Sequence, residues 1–456
     1  MCDDSTLTRE LVLGKLFDSF NFGNLGLFIG AGFSKAVVND DFKEALSWGQ
    51  LIEKACAELN VEMPDGSSMQ GMAYPEVAST ICDSISKNEG IGYIEAKEKL
   101  KRTLADLTNW LPDEEKTDIF SPLIEKVNPN WVITTNYDLV IERLLTGKSV
   151  SISPNNYLAH PKGVIPIYHL HGLRTDPDSI IITQEDYVQL FRPNEYRQIK
   201  LALTIKESTT LILGYGLGDV NVLSAVDWSK NLYDKATKEY PHEIIQAIRV
   251  ENPSATPYRD KNGNIIIEVS ELEDFFSELV EYLEIQDEEY KKRLAEIRSI
   301  IGELEENKDE KVESFINNRD RRLELLQLLS EFELHMVSPF INFISVCIGK
   351  TWEESSKYGA FNAYKKNLNI LLDIIINYPY ERMPPALFDF VAYSLNRVLN
   401  YVGVDNSKRI VGNSFDAQER WHNAKNDIPH KMVQELYNYS RQSYLGTLAR
   451  HLKTMV

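Results

Sequence analysis

Cysteine is scarce in this chain: Cys2, Cys56, Cys82 and Cys347 are its four, far apart and with no C-x-x-C pair among them. That excludes a disulfide-stapled scaffold and a structural zinc module, both of which need paired or clustered thiols, and it fits a reducing compartment. No stretch approaches the roughly 20 apolar residues that spanning a bilayer requires. The N-terminal MCDDSTLTREL has no basic segment leading into an apolar run, so neither a signal peptide nor membrane association is expected, and the location expected is cytoplasmic. Positive charge is also in deficit, with 49 Lys and Arg against 68 Asp and Glu for a formal net charge of −19. Binding nucleic-acid phosphates takes a concentrated basic face, so direct nucleic-acid contact is not expected. The densest basic cluster, Arg319, Arg321 and Arg322, lies among Glu310, Glu313, Asp320 and Glu324 and reads as a solvated helix face.

What is present is an ordinary globular composition, 43% hydrophobic and 26% charged, over 456 residues. That length exceeds what one core usually fills, so two domains are expected. Up to about residue 285, short β-rich runs alternate with helical patterns, the rhythm of an α/β fold with a parallel sheet covered by helices. Strands are expected at 25–29, 131–133, 164–168, 180–182, 211–213 and 244–248, with an edge strand at 265–269 after the turn Asn262-Gly263-Asn264. Ser47-Trp48-Gly49-Gln50 has the spacing of a capping box and should start a helix running to about Glu58. An amphipathic helix at 270–284, with Leu272, Phe275, Phe276, Leu279, Val280 and Leu283 at helical spacing, closes this domain, 1–285. Residues 286–456 carry alternating charge and then helical apolar stripes such as Leu368, Leu371, Leu372, Ile375 and Ile376. They read as an all-α domain whose stripes are core or subunit packing.

Four motifs carry polar or glycine chemistry, each at the exit of a strand. Gly30-Ala31-Gly32-Phe33-Ser34 can bring backbone N–H groups at a helix start close to phosphate oxygens, or can be a simple tight turn. Thr134-Thr135-Asn136-Tyr137-Asp138 offers an amide and a carboxylate to a ligand, or an Asx turn and helix cap. In Tyr168-His169-Leu170-His171-Gly172 the two histidines would share a face if the strand continued, which suits metal binding or structural hydrogen bonding; no third ligand identifies itself, and no metal is expected. Gly214-Tyr215-Gly216-Leu217-Gly218-Asp219-Val220-Asn221 leaves room for a nucleotide, or caps a helix with Asp219. Ligands of open α/β sheets bind at the carboxyl edge of the strands, so the four motifs together imply one cleft.

The ordered set GAGFS, TTNYD, HLHG and GYGLGD, with SWGQL at 47–51 and TQEDY at 183–187, resembles the sirtuin family, specifically the bacterial sirtuin-like NAD hydrolases of antiphage defence systems. The resemblance implies a Rossmann-like, sirtuin-type NAD-binding catalytic domain, with NAD as substrate. It implies that Gly30, Ala31, Gly32, Phe33 and Ser34 cradle the pyrophosphate, that Asn136 and Asp138 address the nicotinamide ribose and the attacking group, and that Thr135 is among the cofactor-binding residues. Asn136 and His171 would be catalytic, and Gly214, Tyr215, Asp219 and Asn221 would face the adenosine. Sirtuin deacylases carry two cysteine pairs in a zinc module and an arginine-containing loop after the first motif. This chain has no such pairs, and residues 35–45 contain no arginine. The expectation is therefore hydrolysis of NAD to nicotinamide and ADP-ribose. The alternatives are a non-enzymatic sensor of NAD or ADP-ribose and a protein deacylase or ADP-ribosyltransferase. The helical domain, with no visible chemistry, is expected to serve regulation or oligomerisation: self-association, an ATPase partner of the HerA type, or recognition of a phage component.

Overall fold

The structure, a computed structural model, describes residues 7–39, 44–64, 74–154, 156, 159–190, 196–215, 242–332, 338–355, 357, 361–402 and 414–456. They fall into two compact units, Met1–Glu288 and Glu289–Val456. The first is α/β, built on strands β1 (Leu25–Ile29), β2 (Trp131–Thr134), β3 (Ser149–Ile152), β4 (Ile165–His169), β5 (Thr209–Leu213), β6 (Ile244–Arg249), β7 (Tyr258–Arg259) and β8 (Ile265–Val269). They form one sheet in the order β3-β4-β2-β1-β5-β6-β8-β7. Every pairing is parallel except β7 with β8.

The central strands can be parallel because their sequences are apolar on both faces. In β1, Leu25, Leu27 and Ile29 enter the core beneath helices Arg9–Asn21, Ala31–Val38 and Glu114–Val127, while Phe28 enters the core on the opposite face with Ile133 and Ile212. Three aromatic rings fix helix Ala31–Val38: Phe33 lies edge-on to Phe120 and Phe276 with centroids 6.1 and 6.2 Å away. Such pairs contribute about 0.5–1.5 kcal/mol each beyond the area they bury. Gly26 stands in register with Trp131, and a Cβ there would lie 2.0 Å from the indole. The indole N–H in turn donates to Ser208 Oγ at 3.0 Å.

The capping box forms: Ser47 accepts from the Gln50 amide, the Gln50 side chain accepts from the Ser47 N–H at 2.8 Å, and the helix is Trp48–Glu58. The expected strand at 180–182 does not form. After the short 3-10 turn Pro177–Ser179, Ile180 and Ile182 bury against helices Trp48–Glu58, Tyr74–Glu89 and Tyr93–Leu107. A three-residue apolar run has no period that separates strand from buried coil, and here a helical layer takes it. The run at 265–269 is a strand but not the edge. Tyr258–Arg259 pairs outside it through a turn in which Gly263 has φ +81°. The amphipathic helix expected at 270–284 runs as Leu272–Glu306, since no glycine or proline interrupts it before Gly302.

The second unit is helical, with no strand among its described residues. Leu368, Leu371, Leu372 and Ile375 sit in its core and Ile376 is partly buried beside it. One expectation is overturned here. Arg321 pairs with Glu324 on the surface, but Arg322 is only 3% exposed and its guanidinium donates to Asp373 Oδ2 at 3.0 and 2.7 Å. It also donates to the carbonyls of Phe315 and Ile316 at 2.6 and 3.1 Å, which accounts for a buried arginine in a charge-dense segment. Among the described residues no helix is long and apolar enough to cross a membrane.

Removing the acceptor should leave Arg322 buried and uncompensated. Asp373→Ala is expected to cost about 3–5 kcal/mol in urea unfolding followed by circular dichroism, whereas Arg321→Ala should stay within about 0.5 kcal/mol of wild type.

Candidate functional site

Parallel pairing places Ile29, Thr134, His169 and Leu213, the last residues of β1, β2, β4 and β5, in one row across the sheet. Three motifs therefore leave the same carboxyl edge in full, with the start of the fourth beside them. The strand order also reverses there, with β2 and β5 on opposite sides of β1. Asp219 and Asn221 lie outside the described residues.

The glycines of the β1 and β5 exits serve each other first. Gly214 has φ +60°, and a Cβ on it would lie 2.0 Å from the Phe33 nitrogen. Side chains at Gly30 or Gly32 would come within 2.6 and 2.8 Å of the Gly214 carbonyl. The gap is closed by hydrogen bonds: Gly30 N–H donates to Leu213 O at 3.0 Å, and Gly32 N–H to Gly214 O at 2.8 Å. These two amides thus brace the loops, while Ala31 begins the helix uncapped by any side chain and Gly32 is exposed. Tyr215 packs edge-on to Phe28 at 4.9 Å, and its carbonyl accepts from Gln246 at 2.7 Å.

From that helix Ser34 meets the β2 exit. Asn136 Nδ2 donates to Ser34 Oγ at 2.9 Å, and Ser34 Oγ donates to Asp138 Oδ2 at 2.9 Å. Asp138 Oδ1 accepts from the Val140 amide at 3.1 Å. A hydroxyl has one proton to give, so an ionised Asp138 forces Ser34 to accept from the Asn136 amide and leaves Asn136 Oδ1 as an acceptor. Burial pushes the Asp138 carboxyl above its usual range, with the Val140 and Ser34 hydrogen bonds working against that rise. Thr134 completes the turn, donating to Ile29 O at 2.9 Å and accepting from Asn136 N–H at 3.0 Å. Thr135, beside it, is half-buried.

The two histidines have different surroundings, contrary to a shared face. β4 ends at His169, and the chain then turns through Gly172 at φ +92°, where a Cβ would lie 2.4 Å from Ser179 O. His171 is buried with its ring edge-on to Tyr187 at 5.3 Å, and its carbonyl accepts from Ile181 N–H at 2.8 Å. Tyr187 sits on helix Gln184–Leu190 of the TQEDY segment, which is tied down by Asp186, 3.2 Å from both Lys97 and Lys101. Burial would raise the Asp186 carboxyl, but the two lysines bring it below its usual range.

His169 is fully buried, with Nδ1 3.1 Å from the Asn136 carbonyl and Nε2 2.7 Å from Glu142 Oε1. Burial alone would lower the His169 pKa, yet Glu142 lifts it above the ordinary histidine value; burial would raise Glu142, yet His169 holds it below the usual carboxylate range. Sequence reasoning missed Glu142 and set His169 aside. The available signal was Glu142 four residues after Asp138, at the start of the following helix. Among the described residues no three of His, Cys, Asp or Glu gather as metal ligands. The thiols of Cys56, Cys82 and Cys347 are buried, and burial pushes the last two up to about 12.

Residues 130–266, from the start of β2 into β8, match the SIR2-like domain family. Defense-associated sirtuin 2 of Bacillus subtilis is 25% identical over 336 residues, covering 71% of this chain and 30% of the relative. NAD(+) hydrolase ThsA of Acinetobacter baumannii (strain 532279) is 22% identical over 221 residues, covering 47% of this chain and 41% of the relative. The chain thus spans less than half the length of either. The glycine motif of β1 lies ahead of the sirtuin-like match, and the sheet brings it back to the same edge.

The Glu142–His169 pair has a signed pH signature. A raised histidine contributes stability fully below its ordinary value of 6.5 and loses it as pH rises through its folded value; a lowered carboxylate contributes above its ordinary 4.5 and loses it as pH falls through its folded value. The urea-midpoint difference between wild type and His169→Gln should therefore be greatest between these two values and shrink on either side. A difference that does not vary with pH would contradict the pairing.

Proposed function

We propose that this chain hydrolyses NAD to nicotinamide and ADP-ribose in the cleft at the carboxyl edge of β1, β2 and β4. The observation that carries this reading is the Ser34-centred hydrogen-bond chain, which presents Asn136 Oδ1 as an acceptor beside the buried Asp138 carboxylate. The names of the two relatives, one an NAD(+) hydrolase and the other a defence-associated sirtuin, support it, as does the lack of cysteine pairs for a zinc module.

Nicotinamide is cationic in the bound substrate and departs neutral, so its loss needs no protonation. What it needs is stabilisation of the positive charge that develops on the ribose and a positioned acceptor. His169 and Glu142 neutralise each other; burial works against an ionised Asp138, the Val140 and Ser34 hydrogen bonds work for it, and in this reading its carboxylate is the net negative charge of the buried trio. A carboxylate in a site that excludes water acts on an oxocarbenium-like ribose more strongly than it would in solvent. Asn136 Oδ1 accepts a hydrogen bond from water or a ribose hydroxyl and orients it. His171 takes the proton, since imidazole is the side chain suited to accept one near neutral pH. Water is then the acceptor of the ADP-ribosyl group, and no metal takes part in this reading. Gly30, Ala31, Gly32, Phe33 and Ser34 line the pyrophosphate side, and Thr135, Gly214, Tyr215, Asp219 and Asn221 complete the nucleotide contacts.

Depletion of NAD would harm the cell that makes the enzyme, so the activity is held in check until assembly or a partner releases it, as abortive antiphage defence in the cytoplasm would require. The helical unit is the part available for that: it self-associates, joins an ATPase of the HerA type, or recognises a phage component. Nicotinamide release measured against protein concentration, alongside size-exclusion chromatography, checks this; full activity in a monomer would argue against gating.

For the chemistry, Asn136→Ala and His171→Ala are each expected to lower nicotinamide release by about 10²–10⁴-fold with the circular dichroism spectrum unchanged. Mass spectrometry of the wild-type reaction should show ADP-ribose. Stoichiometric NAD binding with no product would favour a sensor, and transfer to an added protein would favour a transferase.

A further inference from the structure

The partners of His169 fix its proton count. A backbone carbonyl can only accept a hydrogen bond, so Nδ1, 3.1 Å from the Asn136 oxygen, carries a hydrogen. Nε2 lies 2.7 Å from Glu142 Oε1, and the same oxygen accepts from Ser151 Oγ at 2.7 Å. Burial would raise the Glu142 carboxyl, but His169 and Ser151 bring it below the usual carboxylate range, and an ionised carboxylate can only accept, so Nε2 carries a hydrogen too. The ring is an imidazolium buried to 1% exposure, donating on both sides. The titratable groups facing it are Glu142, on helix Val140–Leu144, and Asp138, on the β2 exit.

The residue held by one of these donors is Asn136, whose side chain is in turn held by Ser34. We propose that His169 is a positioning residue for the reaction: its Nδ1–H clamps the carbonyl of Asn136 while Glu142 anchors its Nε2–H, and this clamp sets where Asn136 Oδ1 points. The two histidines of the HLHG motif then have separate work. His171 exchanges a proton, and His169 keeps both of its own. The inference rests on the hydrolase reading for its kinetic consequence but not for the protonation state of His169.

Two variants test it in the full chain. His169→Gln keeps one amide donor but removes the charge and the two-sided clamp. His169→Phe/Glu142→Leu replaces the buried pair with apolar groups, an exchange that often leaves stability intact. Misplacement of a reacting group by about 1 Å can cost on the order of 100-fold, so kcat for nicotinamide release should fall about 10- to 100-fold in both variants. KM for NAD should stay within about threefold, because no group that touches the dinucleotide is removed. In nitrogen-15 histidine spectra of the wild type, one ring should keep the doubly protonated signature to higher pH than an ordinary histidine, and that signal should vanish in His169→Gln. A neutral His169 at pH 7, or kcat within about twofold of wild type in a folded variant, overturns the clamp. Absence of any nicotinamide release by the wild type, with the imidazolium signature present, overturns the hydrolase reading instead.

Discussion

A single hydroxyl ties the two halves of the cleft together. Ser34 belongs to the helix that leaves β1, and Asn136 and Asp138 belong to the loop that leaves β2; each of those side chains reaches the other through its Oγ. The arrangement is possible only because β1 and β2 end in the same row and because the helix carrying Ser34 is pinned by Phe33 among Phe120 and Phe276. Site geometry is here a product of core packing. The orientation of one amide depends on rings buried in the core, and on a glycine pair that lets the β1 and β5 exits close on each other.

Both units keep charge inside and resolve it in the same way. Asp373 gathers Arg322 and Arg319, and Glu142 gathers His169 and Ser151, so neither of these buried carboxylates relies on a single partner. Pairs of this kind add little net stability over apolar packing, but they specify geometry because a misplaced partner leaves a charge stranded. In the helical unit that specificity joins segments about 50 residues apart in sequence. In the α/β unit it joins β3, β4 and the helix after β2, the three elements on one flank of the cleft.

The sequence was most legible where one local rule decided the outcome. The apolar runs of β1, β5, β6 and β8, the capping box at Ser47 and the turn at Gly263 could all be read directly. Legibility failed where the deciding interaction was long-range. Nothing near Arg322 announces Asp373, and nothing within Ile180–Ile182 says that a helical layer will claim it before the sheet does. β3 and β7 escaped because short edge strands are only half apolar. At the site, the alignment of motifs with strand exits could be inferred from order alone. The roles of Glu142 and His169 could not, since their pairing depends on β4 lying beside β2.

Gly26 and Trp131 stand at the opposite end of β1 and β2 from Ser34 and Asn136, yet they bear on the same chemistry. The indole fits over this strand pair only where a residue without a side chain faces it. A slip by one position would bring Leu25 or Leu27 under the ring. Every residue of β1 would then exchange faces, and Ser34 would leave Asn136. The notch works as an alignment key, so the edge that brings Ser34 to Asn136 can be undone by the addition of a single methyl group far from it, at a position that a search for reactive side chains would pass over.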